Sequence, residues 1–559
     1  MADDGVTDVL VVGAGPTGLA LACGLRLQGV DVRVVDRMPA PATTSRANFV
    51  HARGSEVLDR LGALGDLPQR SVRAMLITTY VGDKPMMRVR FGDPGLRTPA
   101  PPMVVSQALV EAELRRRLAE LGGKPEWGAR LTGVVQDDAG VTAELDDGRT
   151  VRARWLVGCD GTSSAVRAAA GITAPGVRLS ERFLLADVHL DWDLDRTGTS
   201  GWVHPTGMLG AMPMPDAAGR GDLWRLIAYD PTSVALEETG SDAGPGGEGE
   251  ADGAAPRAAD AYGRRSRLTE QQILDRFREI LPERTGREVQ VLGSEWLSEF
   301  TIHRRLADRY RRGRIFVAGD AAHAHAPFGG QGMLTGLGDA ENLAWKLALV
   351  ARGRASDALL DTYEAERRPL ATEVLRGTAN VTRINVAQSA VGRFVRDRVL
   401  IPIFNQPSLQ RWATFTASQL GVSYRSGPLG VGRAQRAAAR ISRRVCVGDR
   451  VRNLVCARAD GSSSRLYAEL GGEWALLVPP SGDAAGRAAG PRAADGVVRD
   501  SAVRDGVLRD GVEPTRLTRT DGVPEAWLVR PDGHLAWRGT DPAAAGPWLA
   551  ALLRDGRAR

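Results

Sequence analysis

Six residues near the amino terminus, Gly13-Ala14-Gly15-Pro16-Thr17-Gly18, leave this chain little choice of opening fold. They stand between the run Asp8-Val-Leu-Val-Val12, apolar after its first residue, and an apolar helical stretch reaching Gln28; Val32-Arg-Val-Val35 then reads as a second strand. So short and continuously apolar a strand belongs to a parallel sheet covered on both faces. In a G-x-G-x-x-G loop the first glycine permits the tight turn and the second lets a phosphate approach the backbone. The third lets helix and strand pack closely, with the helix N-terminus facing the anion. Asp36 closes the second strand about 20 residues beyond the loop, where a carboxylate can accept hydrogen bonds from an adenosine ribose.

The loop alone does not distinguish NAD from FAD. Two later segments bear on the choice: Trp155-Leu-Val-Gly-Cys-Asp160-Gly161-Thr-Ser-Ser164-Ala-Val-Arg167 and Arg314-Ile-Phe-Val-Ala-Gly319-Asp320-Ala-Ala-His323. Each ends a buried strand with an Asp-bearing turn, and the carboxyl edge of a parallel sheet is where a cofactor is received. After Asp320 the chain continues Ala326-Pro327-Phe328-Gly329-Gly330-Gln331-Gly332 and turns helical. Free backbone N–H groups and a helix dipole then point one way and would stabilise the negative charge of a reduced flavin.

Between these turns, Val104-Val-Ser-Gln107 leads into a helix with Val110, Leu114, Leu118 and Leu121 on one face. The spacing of Glu111/Arg115 and Glu113/Arg117 predicts i,i+4 pairs on its solvated side. Alternation from Leu131 to Ala153 around Asp147-Gly148 predicts a hairpin, and Trp155-Leu-Val157 a further strand after it. Residues 172–300 are more β-like, with Phe183–Leu190 and Leu223–Tyr229 the clearest strands; the tract 238–262 has almost no large apolar side chains and is expected to be a disordered insertion. Helical patterns run from about Gly332 to Gln419. Short strands follow at Trp474–Val478 and Ala526–Val529, with a final helix over Pro547–Leu553 and a low-complexity tract at 481–523 between.

Composition removes several functions. The 73 basic residues oppose 67 acidic ones, a net charge of +6 too thin and dispersed for a nucleic-acid footprint. Only Lys84, Lys124 and Lys346 are lysine, so 70 of the 73 are arginine, a bias expected of a GC-rich genome. Cys23, Cys159, Cys446 and Cys456 form neither a C-x-x-C pair nor a metal spacing, which fits a reducing cytosol. The most apolar stretch, Val9–Leu25, is broken by four glycines and Pro16 and is preceded by Asp3, Asp4 and Asp8, so neither a membrane span nor a secretory signal is expected. The expected protein is soluble and cytoplasmic.

Taken together, the three motifs resemble those of the class A FAD-dependent aromatic hydroxylases, which share the p-hydroxybenzoate hydroxylase fold, and in particular the bacterial polyketide-tailoring and antibiotic-modifying branch with its C-terminal thioredoxin-like domain. The resemblance spans nearly the whole chain and is weakest over 172–300. It implies an α/β fold in which a Rossmann-like FAD-binding domain (1–171 and 301–390) is interleaved with a β-sheet substrate domain (172–300). A helical connector (391–445) and the thioredoxin-like domain (446–559) would follow. It also implies that Gly13, Gly15 and Gly18 hold the pyrophosphate, Asp36 the ribose, and that Arg46 and Gln107 contact FAD. Asp160 would brace both FAD and a visiting nicotinamide, Asp320 would bind the ribityl-phosphate segment, and Gly329, Gly330, Gln331 and Gly332 would face the isoalloxazine. Pro16, Arg37, Gly161, Arg167, Gly319, Pro327 and Met333 are further implied cofactor-binding residues. Two positions depart from many relatives: Ala326 replaces a proline and Leu334 an asparagine, so Leu334 cannot donate a side-chain hydrogen bond to the flavin. Cys446 and Cys456 lie too far apart in sequence to form a thioredoxin pair and are expected to be packing residues.

By the same resemblance, NADPH or NADH reduces the FAD and O2 adds to give a C4a-hydroperoxide whose outer oxygen goes to a phenolic or polycyclic aromatic ring. No second G-x-G-x-x-G unit exists for the nicotinamide, which should bind transiently. No protein side chain is assigned the chemistry itself, which the cofactor carries. Trp202, His204, Met208, Met212, Trp224, Arg225 and Phe328 could line an aromatic cavity or form sheet core, and His303, Arg304 and Arg305 are candidate polar contacts. His323-x-His325 lacks the further ligands zinc needs, so no metal is expected and His323 reads as structural. The expected partner is a small aromatic molecule, with no nucleic acid or membrane, and the chain is a monomer or homodimer. Baeyer-Villiger oxygen insertion on the same fold and a noncatalytic flavin-containing binding protein remain alternative readings.

Overall fold

The computed structural model describes residues 6–44, 47–72, 76–90, 98, 100–216, 219–230, 257–259, 265–324, 330–385, 392, 394, 398, 401–430, 444–480 and 512–556. They form two compact units, residues 1–344 with 367–422 and residues 345–366 with 423–559.

The first unit contains two eight-stranded sheets. One has the strand order 311–312, 315–317, 150–158, 7–12, 32–36, 125–127, extended by 141–145 and 131–136. Its centre is parallel: Val11 lies opposite both Val34 and Val157, and Val157 opposite Phe316. Val9, Leu10, Val11, Val34, Val35, Leu156, Val157 and Phe316 are buried on both faces, as the apolar runs require. The carboxyl ends of Thr7–Val12, Val32–Asp36, Thr150–Gly158 and Ile315–Val317 therefore share one edge. The hairpin expected at Asp147-Gly148 is present, but Thr150–Gly158 is one continuous strand: its first half pairs antiparallel with Val141–Leu145 and its second half enters the parallel sheet.

The second sheet runs 323–324, 290–306, 176–191, 223–229, 207–213, 198–204, 76–81, 84–90. The hairpin 76–90 lies on the far side of the sequence boundary at 171/172, yet Thr79 pairs in parallel with Gly201. A parallel partner so remote in sequence leaves no turn signal between the two strands. One face packs on the helix Glu270–Thr285, which Thr269 and Gln272 start with a reciprocal capping box and Gly286 ends in the left-handed region. Of the insertion proposed at 238–262, residues 257–259 form a strand paired with 265–269, and the rest lies outside the described residues.

The second unit holds a six-stranded mixed sheet ordered 463–465, 455–457, 515–519, 475–478, 526–529, 535–539, with a core of Leu466, Tyr467, Leu477, Leu517, Val529 and Leu535. Thr515–Arg519 falls within the tract read as low complexity; its one inward apolar residue, Leu517, is buried, and Arg519 stacks 3.9 Å over Trp527 while pairing with Asp521 at 2.7 Å. Residues 481–511 lie outside the described residues. Glu366 accepts from Lys346 at 2.8 Å and from Arg530 at 2.8 and 2.9 Å, and Arg530 also pairs with Asp532. These charges are buried and matched in number, which is the condition under which such a cluster is tolerated. Cys456 is buried, its thiol raised to about 11 by desolvation, whereas Cys446 is half-buried and is not the packing residue expected.

Candidate functional site

Three turns meet at the carboxyl edge of the parallel sheet. In the first, Gly13 adopts φ +110, and its N–H donates to the Val35 carbonyl at 2.8 Å. A Cβ on Gly13 would run into the Cys159 carbonyl, and one on Gly18 into the carbonyl oxygen of Gly13. A Cβ on Gly15 would meet nothing within 4 Å. The outer glycines are thus demanded by the fold itself, while the space at Gly15 is left open. The helix Pro16–Leu27 that follows has no side-chain N-cap and no acidic residue in its first turn, so its N–H groups face that space without a protein anion.

Asp36 accepts from the Ala14 N–H at 2.6 Å and the Met38 N–H at 2.8 Å, which ties the end of the second strand to the glycine loop. It lines a small, partly open concavity with Ala14, Gly15, Gln107, Glu111 and Trp127. Arg37 is exposed beside it, and Arg46 lies outside the described residues. Glu111 is a lining residue that sequence reasoning placed on the wrong side. It and Glu113 are buried, and Glu113 pairs with Arg116 at 2.8 Å instead of Arg117. Only the Glu111/Arg115 pair forms, at 3.8 Å. Burial pushes the Glu111 carboxyl up to about 7, against a hydrogen bond donated by Gln107 at 2.8 Å and the nearby Arg115 charge. Its position one helical turn after Gln107 was the available signal, because residues four apart share a helix face.

In the second turn, Asp160 follows Cys159, whose N–H donates to the Val12 carbonyl at 2.7 Å. Asp160 Oδ2 accepts from the Val166 N–H at 3.1 Å, Gly161 stands at φ +81, and Asp160 Oδ1 is buried without a hydrogen-bond partner. Desolvation raises its carboxyl above the ordinary range, against the hydrogen bonds it accepts. Ser164 caps the short helix Ala165–Ala169 by accepting from the Arg167 N–H. The Arg167 guanidinium donates to the Thr162 and Ala321 carbonyls, both at 2.9 Å, and so joins the second turn to the third.

The third turn, Gly319–Ala321, begins at φ +60, where a Cβ would fall 2.6 Å from Thr17 Oγ1; Asp320 is exposed at its tip. Asp339, a residue the sequence reading passed over, accepts from the Gly319 N–H at 3.0 Å, from His323 Nε2 at 2.5 Å and from Arg367 Nε at 2.7 Å. Burial opposes its charge, yet His323 and Arg367 hold its carboxyl down at about 2. His323 is thus engaged with a carboxylate, and His325 lies outside the described residues together with Ala326, Pro327, Phe328 and Gly329. Gly330 stands at φ +62, Gln331 starts the helix Gln331–Ala351, Gly332 has open space where a Cβ would be, and Met333 is buried.

The second sheet separates the substrate candidates. Trp202 and Trp224 pack with Ile273 and Phe277 on the helix side, Trp202 stacked on Tyr80 and Trp192. They are core and do not share a face with Arg225 or Met212. The opposite face carries Phe183, Leu185, Met208, Ile227, Tyr229, Trp296 and Phe300. There the buried Arg225 is closed on Asp187 at 2.7 and 2.6 Å, and Met212 Sδ accepts from Asn48 Nδ2 at 3.3 Å. His204 is half-buried at its strand end, 2.9 Å from Thr206 Oγ1, with burial lowering its pKa. Arg304 and Arg305 are half-buried, opposite Val177 and Ala324; the His303 side chain lies outside the described residues. A separate set, His189 with Asp216 and Asp222, has metal-like spacing, but the Arg220 guanidinium stands 3.0 Å from His189 Nε2 and balances it as an ion-pair cluster.

These residues fit a dinucleotide. The space at Gly15 and the uncapped helix start beside it together suit an anionic group.

Comparison with known proteins agrees. The FAD binding domain family matches residues 6–378. The chain is 38% identical to 6-methylpretetramide 4-monooxygenase of Streptomyces rimosus over 68% of its own length and 63% of that protein. It is 32% identical to rifampicin monooxygenase of Streptomyces venezuelae over 96% of both chains. Among solved structures, aklavinone-11 hydroxylase in a ternary complex with FAD and aklavinone superposes with a TM-score of 0.72 at 25% identity, covering all of both chains.

Proposed function

Because the chain belongs to the FAD binding domain family, in its branch of class A flavoprotein hydroxylases, we propose that it is an FAD-dependent, NAD(P)H-consuming monooxygenase that hydroxylates a phenolic or polycyclic, polyketide-like aromatic molecule. The observation that carries this reading is the convergence of three Asp- or Gly-bearing turns on one sheet edge, with an uncapped helix start between them. FAD supplies the hard chemistry, taking electrons from a nicotinamide and delivering one atom of O2 to the ring.

The chain's own residues bind, orient and exclude water. Gly13 and Gly18 shape the loop, Gly15 admits the pyrophosphate, and Asp36 with Gln107 receives the ribose end. Asp160 braces the second turn by accepting from the Val166 N–H, and Gly330 to Met333 belong to the segment that faces the isoalloxazine. On the second sheet Arg225 is buried and already neutralised by Asp187, so it leaves no free charge for an anionic substrate, which suits an uncharged ring system. No helix among the described residues is long and apolar enough to cross a membrane. The balanced charge and unpaired cysteines support, within the same proposal, a cytoplasmic enzyme that acts as a monomer or homodimer.

A screen of NAD(P)H oxidation over polycyclic phenols, quinones and aromatic antibiotics tests this. The expected result is oxidation stimulated by a member of the set, with a product carrying one added oxygen. Oxidation that no aromatic compound accelerates, or that yields only hydrogen peroxide, contradicts it.

A further inference from the structure

Gln419 is the one non-glycine residue among the described residues with a left-handed backbone, at φ +54. It follows the helix Pro407–Ala417, where glycine is the usual choice because a side chain there is strained. Its side chain is buried and used: Nε2 donates to Gln331 Oε1 at 2.9 Å and to Thr335 Oγ1 at 3.1 Å. Gln331 in turn donates to the Ala417 carbonyl at 2.8 Å and lies 3.3 Å from His51 Nε2. Thr335 Oγ1 donates to the Gln331 carbonyl at 2.8 Å, closing a ring of hydrogen bonds around the first turn of the helix Gln331–Ala351. On the other side Gly330 is confined by Phe49, whose Cβ would lie 2.6 Å from any Cβ placed there. Leu334, buried 3.5 Å from the position a Cβ on Gly54 would take, contributes no polar contact.

We propose that Gln419 is a positioning residue that latches the described end of the flavin-facing loop: its carboxamide, held in place by a left-handed backbone, fixes Gln331 and so sets where residues 330–332 lie. The proposal rests on the reading that this loop faces the isoalloxazine. A glycine at 419 would satisfy the backbone and release the loop; a methionine would fill the space and donate nothing. The latch therefore separates two properties that a purely structural residue would move together.

The test compares wild type with Gln419→Gly and Gln419→Met, each loaded with FAD, by Tm, FAD titration and iodide quenching of the bound flavin's fluorescence. NADPH oxidation in the absence of any aromatic compound is followed in parallel. Both variants should take up FAD as wild type does. Iodide quenching should rise roughly threefold in both, with faster substrate-free NADPH oxidation, as expected when a covering segment loosens. The Tm of the Gly variant should fall less than that of the Met variant, because relief of the left-handed backbone offsets part of the lost hydrogen bonds. Wild-type quenching in the Gly variant overturns the latch whatever the Met variant does, as does quenching that rises only in step with a fall in Tm. A wild-type protein that takes up no FAD is a different failure: it overturns the reading of the loop, and the latch with it.

Discussion

The two sheets of the first unit differ in how they carry their candidate functional residues. The parallel sheet places them on turns at its edge, where Gly13, Asp36, Asp160 and Gly319 each answer a backbone requirement. The second sheet places them on a face, where Arg225 and Trp224 are neighbours in sequence and point to opposite sides. A turn restricts residue type by sterics and hydrogen bonding, whereas a strand's period of two yields two faces without saying which is wetted, covered or turned to a ligand.

Substitutions at the edge should act on the cofactor, and substitutions on the sheet should act on stability. The largest effect is expected from Gly15→Val, which should weaken FAD affinity by at least about 100-fold while shifting the Tm of the flavin-free protein by less than about 2 °C. Gly18→Ala should instead lower that Tm, because its Cβ has no room even without a ligand. Flavin titration and thermal melts of the two variants would collapse the comparison if both lost only affinity or only stability.

On the second sheet, Trp224→Ala should cost about 3–5 kcal/mol through the cavity it leaves beside Phe277 and Ile273. Arg225→Leu should cost a similar amount, about 3–5 kcal/mol, for another reason: it strands the buried Asp187 charge. Adding Asp187→Leu should recover most of the second loss and none of the first, which denaturant unfolding can distinguish.

Glu111→Gln gives a smaller, pH-dependent effect. Burial raises this carboxyl from 4.5 to about 7, so the folded state keeps a proton that the unfolded state loses. The wild-type stability linked to this group is full below pH 4.5, falls as the pH rises to about 7 and is flat above. The Gln variant should therefore be more stable than wild type by about 1–3 kcal/mol at pH 8, with the gap closing toward pH 4.5. A gap that widened on acidification would remove Glu111 from the concavity. Smallest is Ser164→Ala, expected to cost about 1 kcal/mol by uncapping the helix Ala165–Ala169, read as a lowered Tm of the flavin-free protein.

Most of the strand-turn-helix framework at the parallel sheet's carboxyl edge could be read from the chain because its motifs are short and local. The strand and helix around residues 13–18 lie where periodicity puts them. Asp339 escaped notice because it acts on Gly319 from 20 residues away, in a helix where one Asp among apolar residues carries no special signal. The pairing of 76–81 with 198–204 and the strand Thr515–Arg519 were hidden for a related reason: both depend on partners brought together only by the fold. Gln419 was invisible as well, since nothing in a sequence marks a glutamine as left-handed.

The most direct measurement is the fate of oxygen-18 gas in a turnover mixture of enzyme, FAD, NAD(P)H and an aromatic compound that stimulates oxidation. The expected product carries one oxygen-18 atom for each NAD(P)H consumed, bound to a ring carbon. A product unlabelled by the gas, or labelled only when the water is oxygen-18, would contradict a monooxygenase built on this sheet edge.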